Sequence, residues 1–408
     1  MLVKSLSRRQ ALLSAGSALL AGSLASSGSA WAQSEFLVAA LNPVSGSGSP
    51  YGAGMQAAIL MAAEEINAAG GAGGRNIRVI AEDSQSSPDA AVLAAKKLIE
   101  VNRVNAILGT WSSGVSLAVM PLTIAAGIPL TVTSGAPEIS TLDKDDLVWR
   151  FNASNALFGS AFAKAVQLKG FKRPATMAFN NASGVGNTRG FQTAWRKAGG
   201  EIVAEVVYEP NRSSYRSELQ RILSAKPDVI VAGSYLPDTT ILLREWYQLG
   251  GGNKWIIPGW AFGQALIDAI GKEALEGVIV VDSISNENSK SYEHFSAAFS
   301  KKSVRNIANS SYAAMAYDMM ITFGLAMEAA GPGATPRQIS AKIREVAGAP
   351  GKEVFTFAEG KAALKSGDIN YQGASSRLDF DEFGDATPNF SASIVTDGKL
   401  VRTDVIEL

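Results

Sequence analysis

Short apolar runs alternate with longer amphipathic stretches along most of this chain, and through its first half no hairpin signal separates them. Strands that follow one another in this way need a crossover between each pair, so the pattern calls for parallel sheets covered by helices on both faces. In an open sheet of this kind ligands bind outside the carboxyl ends of the strands. The first unit sets the scheme. Val38 to Leu41 is a buried strand, Asn42 to Gly54 a loop of Gly, Ser and Pro, and Met55, Ile59, Met61, Ala62 and Ile66 mark a helix that stops at Ala69-Gly70-Gly71. The free N–H groups at a helix start attract an anionic group, and Tyr51 stands at that mouth. A plain tight turn with Tyr51 packed on the surface is an equal reading of this stretch.

The next units follow the same order. Asn76 to Ala81 is a strand closing in Glu82-Asp83, Pro88 to Asn102 a helix, Ala106 to Gly109 a strand, Ser116 to Ala126 a helix despite Pro121, and Ile128 to Val132 a strand. Val148 to Phe151 is extended and lies near a crossover. A second α/β half then begins: a helix from Ala156, strands at Pro174 to Phe179, Ile202 to Val207, Val229 to Ala232, Trp255 to Ile257 and Gly277 to Val281, with helices between them. Helices follow at Tyr292 to Ser300, Ser311 to Ala330 and Pro336 to Ala347. Leu378 to Asp381 and Ser391 to Val395 read as late strands, with Asp397-Gly398 as a hairpin turn before Leu400.

Residues 1–32 look like an address. Lys4, Arg8 and Arg9 precede an apolar run from Ala11 to Ala25, and Ala30-Trp31-Ala32 has the small-x-small form of a cleavage site. Ser7-Arg8-Arg9-Gln10 with Leu12 resembles a twin-arginine export signal, and ordinary secretion is the other route. Cleavage after about Ala32 places the mature chain in the periplasm. Of the 408 residues 37 are basic and 37 acidic, so losing Lys4, Arg8 and Arg9 leaves a slightly acidic protein. That disfavours a nucleic-acid partner, which calls for a basic face. The absence of Cys excludes disulfides, thiolate metal sites and thiol nucleophiles.

Catalytic constellations are poor. The single His, His294, lies in an amphipathic helix, and there is no G-x-S-x-G elbow and no D-x-[DN]-x-[DN]-G loop. Gly46-Ser47-Gly48-Ser49-Pro50-Tyr51-Gly52 approaches a dinucleotide fingerprint, with Asp83 where a ribose-binding acid would stand, but the third Gly is one residue late. No metal or cofactor is expected. The strand ends instead pair small hydroxyls with large rings: Tyr51; Trp111, Ser112 and Ser113; Thr133, Ser134 and Gly135; Ser183; Tyr235 with Asp238; Trp260 and Phe262. Hydroxyls and free N–H groups suit a carboxylate or amide, and rings suit an apolar body. Packing alone would account for any one of these rings.

These residues, taken in order, match a known pattern. Pro43-x-Ser45-Gly46 with Tyr51-Gly52, Glu64 to Gly71 with Gly74-Arg75, Glu82-Asp83, Leu108-Gly109 before Ser112-Ser113, Gly127-Ile128-Pro129, Trp149-Arg150, Pro227-Asp228-Val229, Tyr312, Tyr317-Asp318, and Phe380-Asp381 with Gly384-Asp385 stand in sequence across the chain. The mature chain resembles, nearly end to end, the leucine/isoleucine/valine-type substrate-binding proteins of ABC transporters. The resemblance implies a type I clamshell of two α/β lobes, residues 33–153 with 284–375 and residues 154–283 with 376–408, joined by three crossovers. It implies a small ligand in the cleft, no enzymatic activity, a membrane permease as partner and a monomer. It places the ligand carboxylate at Ser113, Thr133 and Gly135, and cleft tyrosines at Tyr51 and Tyr235. Two departures follow. Ser183 replaces a cleft aromatic, and no carboxylate is found near Gly259-Trp260, where the family holds the ligand ammonium, so either Asp238 serves it or the ligand is an aromatic or other small carboxylate, or an amide. A sensor of the same fold and, less well supported, an exported nucleotide-dependent oxidoreductase are the alternatives.

Overall fold

The computed structural model describes residues 35–252, 254–302, 311–348 and 350–408. The export signal read in residues 1–32 lies outside them. The first sheet is wholly parallel and made of β1 (Phe36–Asn42), β2 (Ile77–Asp83), β3 (Ile107–Thr110), β4 (Leu130–Val132) and β5 (Val148–Arg150), in the order β2-β1-β3-β4-β5. β5 is thus a true strand and not merely the approach to a crossover. Between them run α1 (Ser49–Ala68), α2 (Pro88–Lys96), α3 (Ser113–Ala126) and α4 (Pro137–Leu142). Three of the four carry Pro in the first turn, where its missing N–H costs no bond. α3 starts earlier than the apolar pattern indicates, because the Ser112 side chain caps it by accepting the Val115 N–H at 3.4 Å. The order reverses at β1, so the chain leaves β1 and β3 toward opposite faces and opens a crevice at their carboxyl ends.

The second half adds α5 (Asn155–Leu168), β6 (Pro174–Phe179), α6 (Ala182–Lys197), β7 (Ala204–Tyr208), α7 (Arg216–Ser224), β8 (Val229–Gly233), α8 (Leu236–Gln248), β9 (Trp255–Pro258), α9 (Gln264–Ile270) and β10 (Ile279–Ser283). The chain then returns through α10 (Lys290–Lys302), α11 (Ser311–Ala330), α12 (Pro336–Ser340), α13 (Ile343–Ala347), β11 (Lys352–Val354), α14 (Phe357–Ala363) and β12 (Ile369–Tyr371), and ends in the hairpin β13 (Phe390–Thr396) and β14 (Lys399–Ile406). The second sheet runs β14-β13-β10-β9-β8-β6-β7, parallel except for that hairpin. Asp397 and Gly398 both take positive φ, 49° and 74°, as a two-residue hairpin turn requires. Nearly every residue of α11 is buried, and Gly324 lets it close on Ile66 of α1: a Cβ there would lie 2.6 Å from the Ile66 side chain. This helix completes the first lobe.

Two expectations are corrected. Leu378 to Asp381 is not a strand but a turn: Leu378 has φ 60°, and the Asp381 carboxylate accepts the N–H groups of Phe383 and Asp385 at 2.9 and 3.0 Å. The helix expected over Pro336 to Ala347 breaks into α12 and α13.

The chain crosses between the lobes after β5, after β10 and before β13. The third crossing is sewn to the other two. Arg150 N–H donates to Gly384 O and Ala386 N–H to Arg150 O on one side; Asn286 N–H donates to Ala374 O and Ile284 N–H to Asn389 O on the other. The fully buried Arg150 also pairs with Asp385 at 3.0 Å, and Ser140 donates to the same carboxylate at 2.7 Å. Trp149 and Phe151 pack edge-on against Phe380 across the same joint.

Candidate functional site

At the crevice of the first sheet the Gly/Ser loop after β1 is held down rather than open. Ser45 donates from its N–H and hydroxyl to Asp83 at 3.1 and 2.6 Å, Gln85 N–H adds a third bond at 2.7 Å, and Gly48 N–H donates to Ser86 Oγ at 2.9 Å. A Cβ on Gly48 would meet Pro43 and the Trp111 ring at 2.7 Å, and one on Gly52 would lie 2.0 Å from Pro43 O. The glycines therefore serve close packing, and Asp83 is a clamp on the loop. Glycines spent on packing against Pro43 and Trp111 do not form the open backbone cradle that a dinucleotide fingerprint supplies.

That packing fixes Tyr51 and Trp111. Their rings stack at 5.8 Å, Tyr312 from the first turn of α11 closes on Tyr51 at 5.0 Å and on Trp111 at 6.1 Å, and Trp111 meets Tyr235 of the other lobe at 5.3 Å. Burial drives the Tyr235 hydroxyl up to about 12, with hydrogen bonds to Ser183 and Asn181 pulling the other way. Burial first, and the charge of Asp282 second, raise Tyr51 and Tyr312 well above the ordinary tyrosine range.

Beside the Trp111–Tyr235 contact lies a narrow inner cavity of about 20 Å³. Trp111, Ser113, Thr133, Ser134 and Gly135 line it from the first lobe; Phe158, Ser183, Tyr235 and Trp260 from the second; Asn152, Ala153, Asn155 and Tyr312 complete it. Ser113 Oγ and Thr133 Oγ1 are buried and have no hydrogen-bond partner. Ser113 is also the first residue of α3, so free backbone N–H groups stand beside its hydroxyl. Ser134 is already engaged, donating to Ser116 Oγ at 2.7 Å, which in turn meets Thr110 Oγ1 at 2.8 Å. Gly135 and Gly186 admit Asn155 between the lobes: a Cβ on either would fall within 2.3 Å of its amide. Trp260 donates its ring N–H to Ser234 O at 3.0 Å and meets Phe158 in a T-shaped contact at 4.9 Å. No Lys or Arg is among the residues lining this cavity.

The remaining expected residues are placed differently. Ser112 and Asp238 face an outer recess of about 510 Å³ between the lobes, with Tyr235 as the wall it shares with the inner cavity. The Asp238 carboxylate is already occupied by the Tyr208 hydroxyl and by Tyr235 N–H at 3.0 Å; burial raises it from 3.8 to about 6 against those bonds. Phe262 is half-buried against the core and outside the cavity wall. Sequence reasoning missed Asn152, Asn155, Phe158 and Asp282, and used Tyr312 only as a family marker. The acid expected to be absent near Gly259-Trp260 is in fact present in space. It is Asp282, at the carboxyl end of β10, the strand beside β9: a Cβ on Gly259 would lie 2.0 Å from Asp282 Oδ2. The readable signal was an acid closing an apolar strand run.

Two α/β lobes, three crossovers and a ring-lined cleft at the strand ends make the two-lobed type I clamshell fold. The chain belongs to the periplasmic binding protein family, whose sequence profile matches residues 36–365. A Leu/Ile/Val-binding protein from Rhizobium johnstonii is 26% identical over 348 residues, which is 84% of this chain and 91% of that protein. A leucine-binding protein from Thermotoga maritima superposes with a TM-score of 0.78 at 24% identity, over 91% of this chain and 98% of its own. A solute-binding protein of an ABC transporter from Rhodopseudomonas palustris, solved with p-hydroxybenzoic acid, gives 0.74 at 20% identity, over 91% and 97%. Family and neighbours alike are described as binding proteins.

Proposed function

We propose that this chain is the periplasmic solute receptor of an ABC importer, freed of residues 1–32 on export, and that its cleft takes a small organic carboxylate. One observation carries the reading: Ser113 and Thr133 present buried hydroxyls without partners beside the start of α3, facing rings from both lobes. A buried donor left unsatisfied is costly, and a carboxylate would satisfy both hydroxyls and the helix N–H groups together. Trp111 on one lobe and Tyr235, Trp260 and Phe158 on the other would touch the ligand body only when the lobes are closed, so binding favours the closed state. A permease in the inner membrane would read that closure. On this reading the lobes are residues 33–153 with 284–375 and residues 154–283 with 376–408.

The test is a thermal-shift screen of mature protein unfolded and refolded to strip bound ligand, against amino acids, aromatic and aliphatic carboxylates and amides. A ligand at a hundred- to thousand-fold excess over its Kd adds about 3–4 kcal/mol of apparent stability. Ser113→Ala and Thr133→Val should each weaken that ligand about tenfold while leaving the unliganded melting point unchanged or higher, since neither hydroxyl has a partner to lose. Unchanged affinity in both variants removes the carboxylate shelf from these residues.

A further inference from the structure

The two spaces between the lobes are very unequal. The outer recess measures about 510 Å³, whereas the inner cavity, at about 20 Å³, has room for about one water. A carboxylate seated at Ser113 and Thr133 fills that cavity with its head group alone. The rest of the ligand must displace a wall, and a wall yields where there is room behind it. Trp260 is tied to Ser234 O at 3.0 Å, Ser134 to Ser116 at 2.7 Å, and Asn155 is wedged against Gly135 and Gly186. Tyr235 alone of the cavity's lining residues also faces the recess. The first turn of α3 straddles the same partition: Ser113 lines the cavity, while Ser112 and Gly114 on either side of it line the recess.

The recess offers neutral chemistry. Its two charged side chains are spent, Arg212 on Glu218 and Asp238 on the Tyr208 hydroxyl and the Tyr235 N–H. Phe179, Pro210 and Pro237 give it apolar walls. Asn180 and Asn181 follow the end of β6 and present complementary groups. Asn180 donates its side-chain N–H to Glu209 at 2.6 Å, which leaves its amide oxygen to accept. Asn181 does the reverse: its oxygen takes the Gly184 N–H at 2.7 Å, and its NH2, bonded to the Tyr235 hydroxyl, has a second hydrogen to give. An acceptor next to a donor matches a group that both gives and takes a hydrogen bond, as the N–H and C=O of an amide do.

We propose that the inner cavity and the outer recess are the two ends of one elongated site, that the Tyr235 ring swings aside to join them, and that the ligand is a carboxylate whose chain carries a neutral amide. This deepens the receptor reading above and rests on it. The carboxylate lies at Ser113 and Thr133, the chain passes Trp111, and the amide meets Asn180 and Asn181. A chain of the same length without the amide leaves that acceptor and donor unmatched and binds more weakly.

The experiment is calorimetric titration of the stripped protein with pairs of equal chain length, one member with an amide and one without: N-acetyl-β-alanine and hexanoate, N-acetyl-4-aminobutyrate and heptanoate, glycylglycine and 5-aminopentanoate. In at least one pair the amide member should bind about tenfold tighter or more. Asn180→Ala, at an exposed position, and Asn181→Asp, which keeps the oxygen that caps α6, should each cut that ratio by more than about threefold, whereas Ser113→Ala should weaken both members alike. Far-UV circular dichroism and a melting curve check that the variants are folded, and the paired comparison on the unaltered protein needs no variant. If no pair separates by about tenfold, or either Asn variant leaves the ratio within about threefold of the parent, the role of the recess is overturned and the receptor reading stands. The same holds if only carboxylates shorter than these bind. If no carboxylate of any length binds, the reading of the cleft as a carboxylate site falls, and this inference with it.

Discussion

Asp238 illustrates how a residue can shape a site through the neighbours it holds. Its carboxylate takes the Tyr208 hydroxyl and the Tyr235 N–H, and so fixes the ring that faces Trp111 across the cleft. Burial lifts its folded-state value from 3.8 to about 6. A raised acid favours the folded state most below its unfolded value, and that advantage is lost as pH rises through the folded value. On this account Asp238 costs stability between about pH 4 and pH 6, on the order of 3 kcal/mol in all. Asp238→Asn should therefore lose less stability than the parent between pH 4 and pH 7 in urea titrations. Equal losses would mean that Asp238 titrates normally. The residue scale is also where sequence reading met its limit. Hydroxyls and rings at strand ends are visible in one dimension. That Asp238 spends its charge on two local partners, and that Asp282 comes to rest on Gly259, depends on which strands are neighbours.

Among the elements, the loop between β1 and α1 is closely packed. Gly52 exists to let the first turn of α1 lie on Pro43 O. Gly52→Ala must move backbone against backbone, and about 1–3 kcal/mol of destabilisation is expected by chemical denaturation. A neutral result would show that the loop is free to shift. Alternation of short apolar runs with amphipathic stretches was enough to find the strands of the first sheet and most of the second, because parallel strands buried on both faces read as continuous apolar segments. The same logic misread Leu378 to Asp381, where an apolar-acidic alternation belongs to a turn held by the Asp381 side chain, and it ran α12 and α13 together. Neither could it find Tyr312 as a wall of the cleft, since periodicity identifies α11 as buried but not the lobe it returns to.

At the scale of the whole molecule the ring contact between Trp111 and Tyr235 joins the lobes directly. Such a pair contributes about 0.5–1.5 kcal/mol beyond area burial, which is a factor of roughly two to ten in the ratio of closed to open forms. Tyr235→Ala should shift the unliganded protein toward the open form, seen in small-angle scattering as a larger radius of gyration and a larger contraction on binding. Superimposable curves for parent and variant would sink the idea.

The hinge carries a mechanical consequence. Two bodies joined by one thread can swivel and slide as well as bend. Here three threads cross side by side, and the third is hydrogen-bonded to both of the others. Stitched together they act as a ribbon, which folds readily across its width and resists twisting and shear. Of the six ways in which two rigid lobes can move relative to each other, one is left soft. A solute that fits is thus converted into a single angle, whatever its shape.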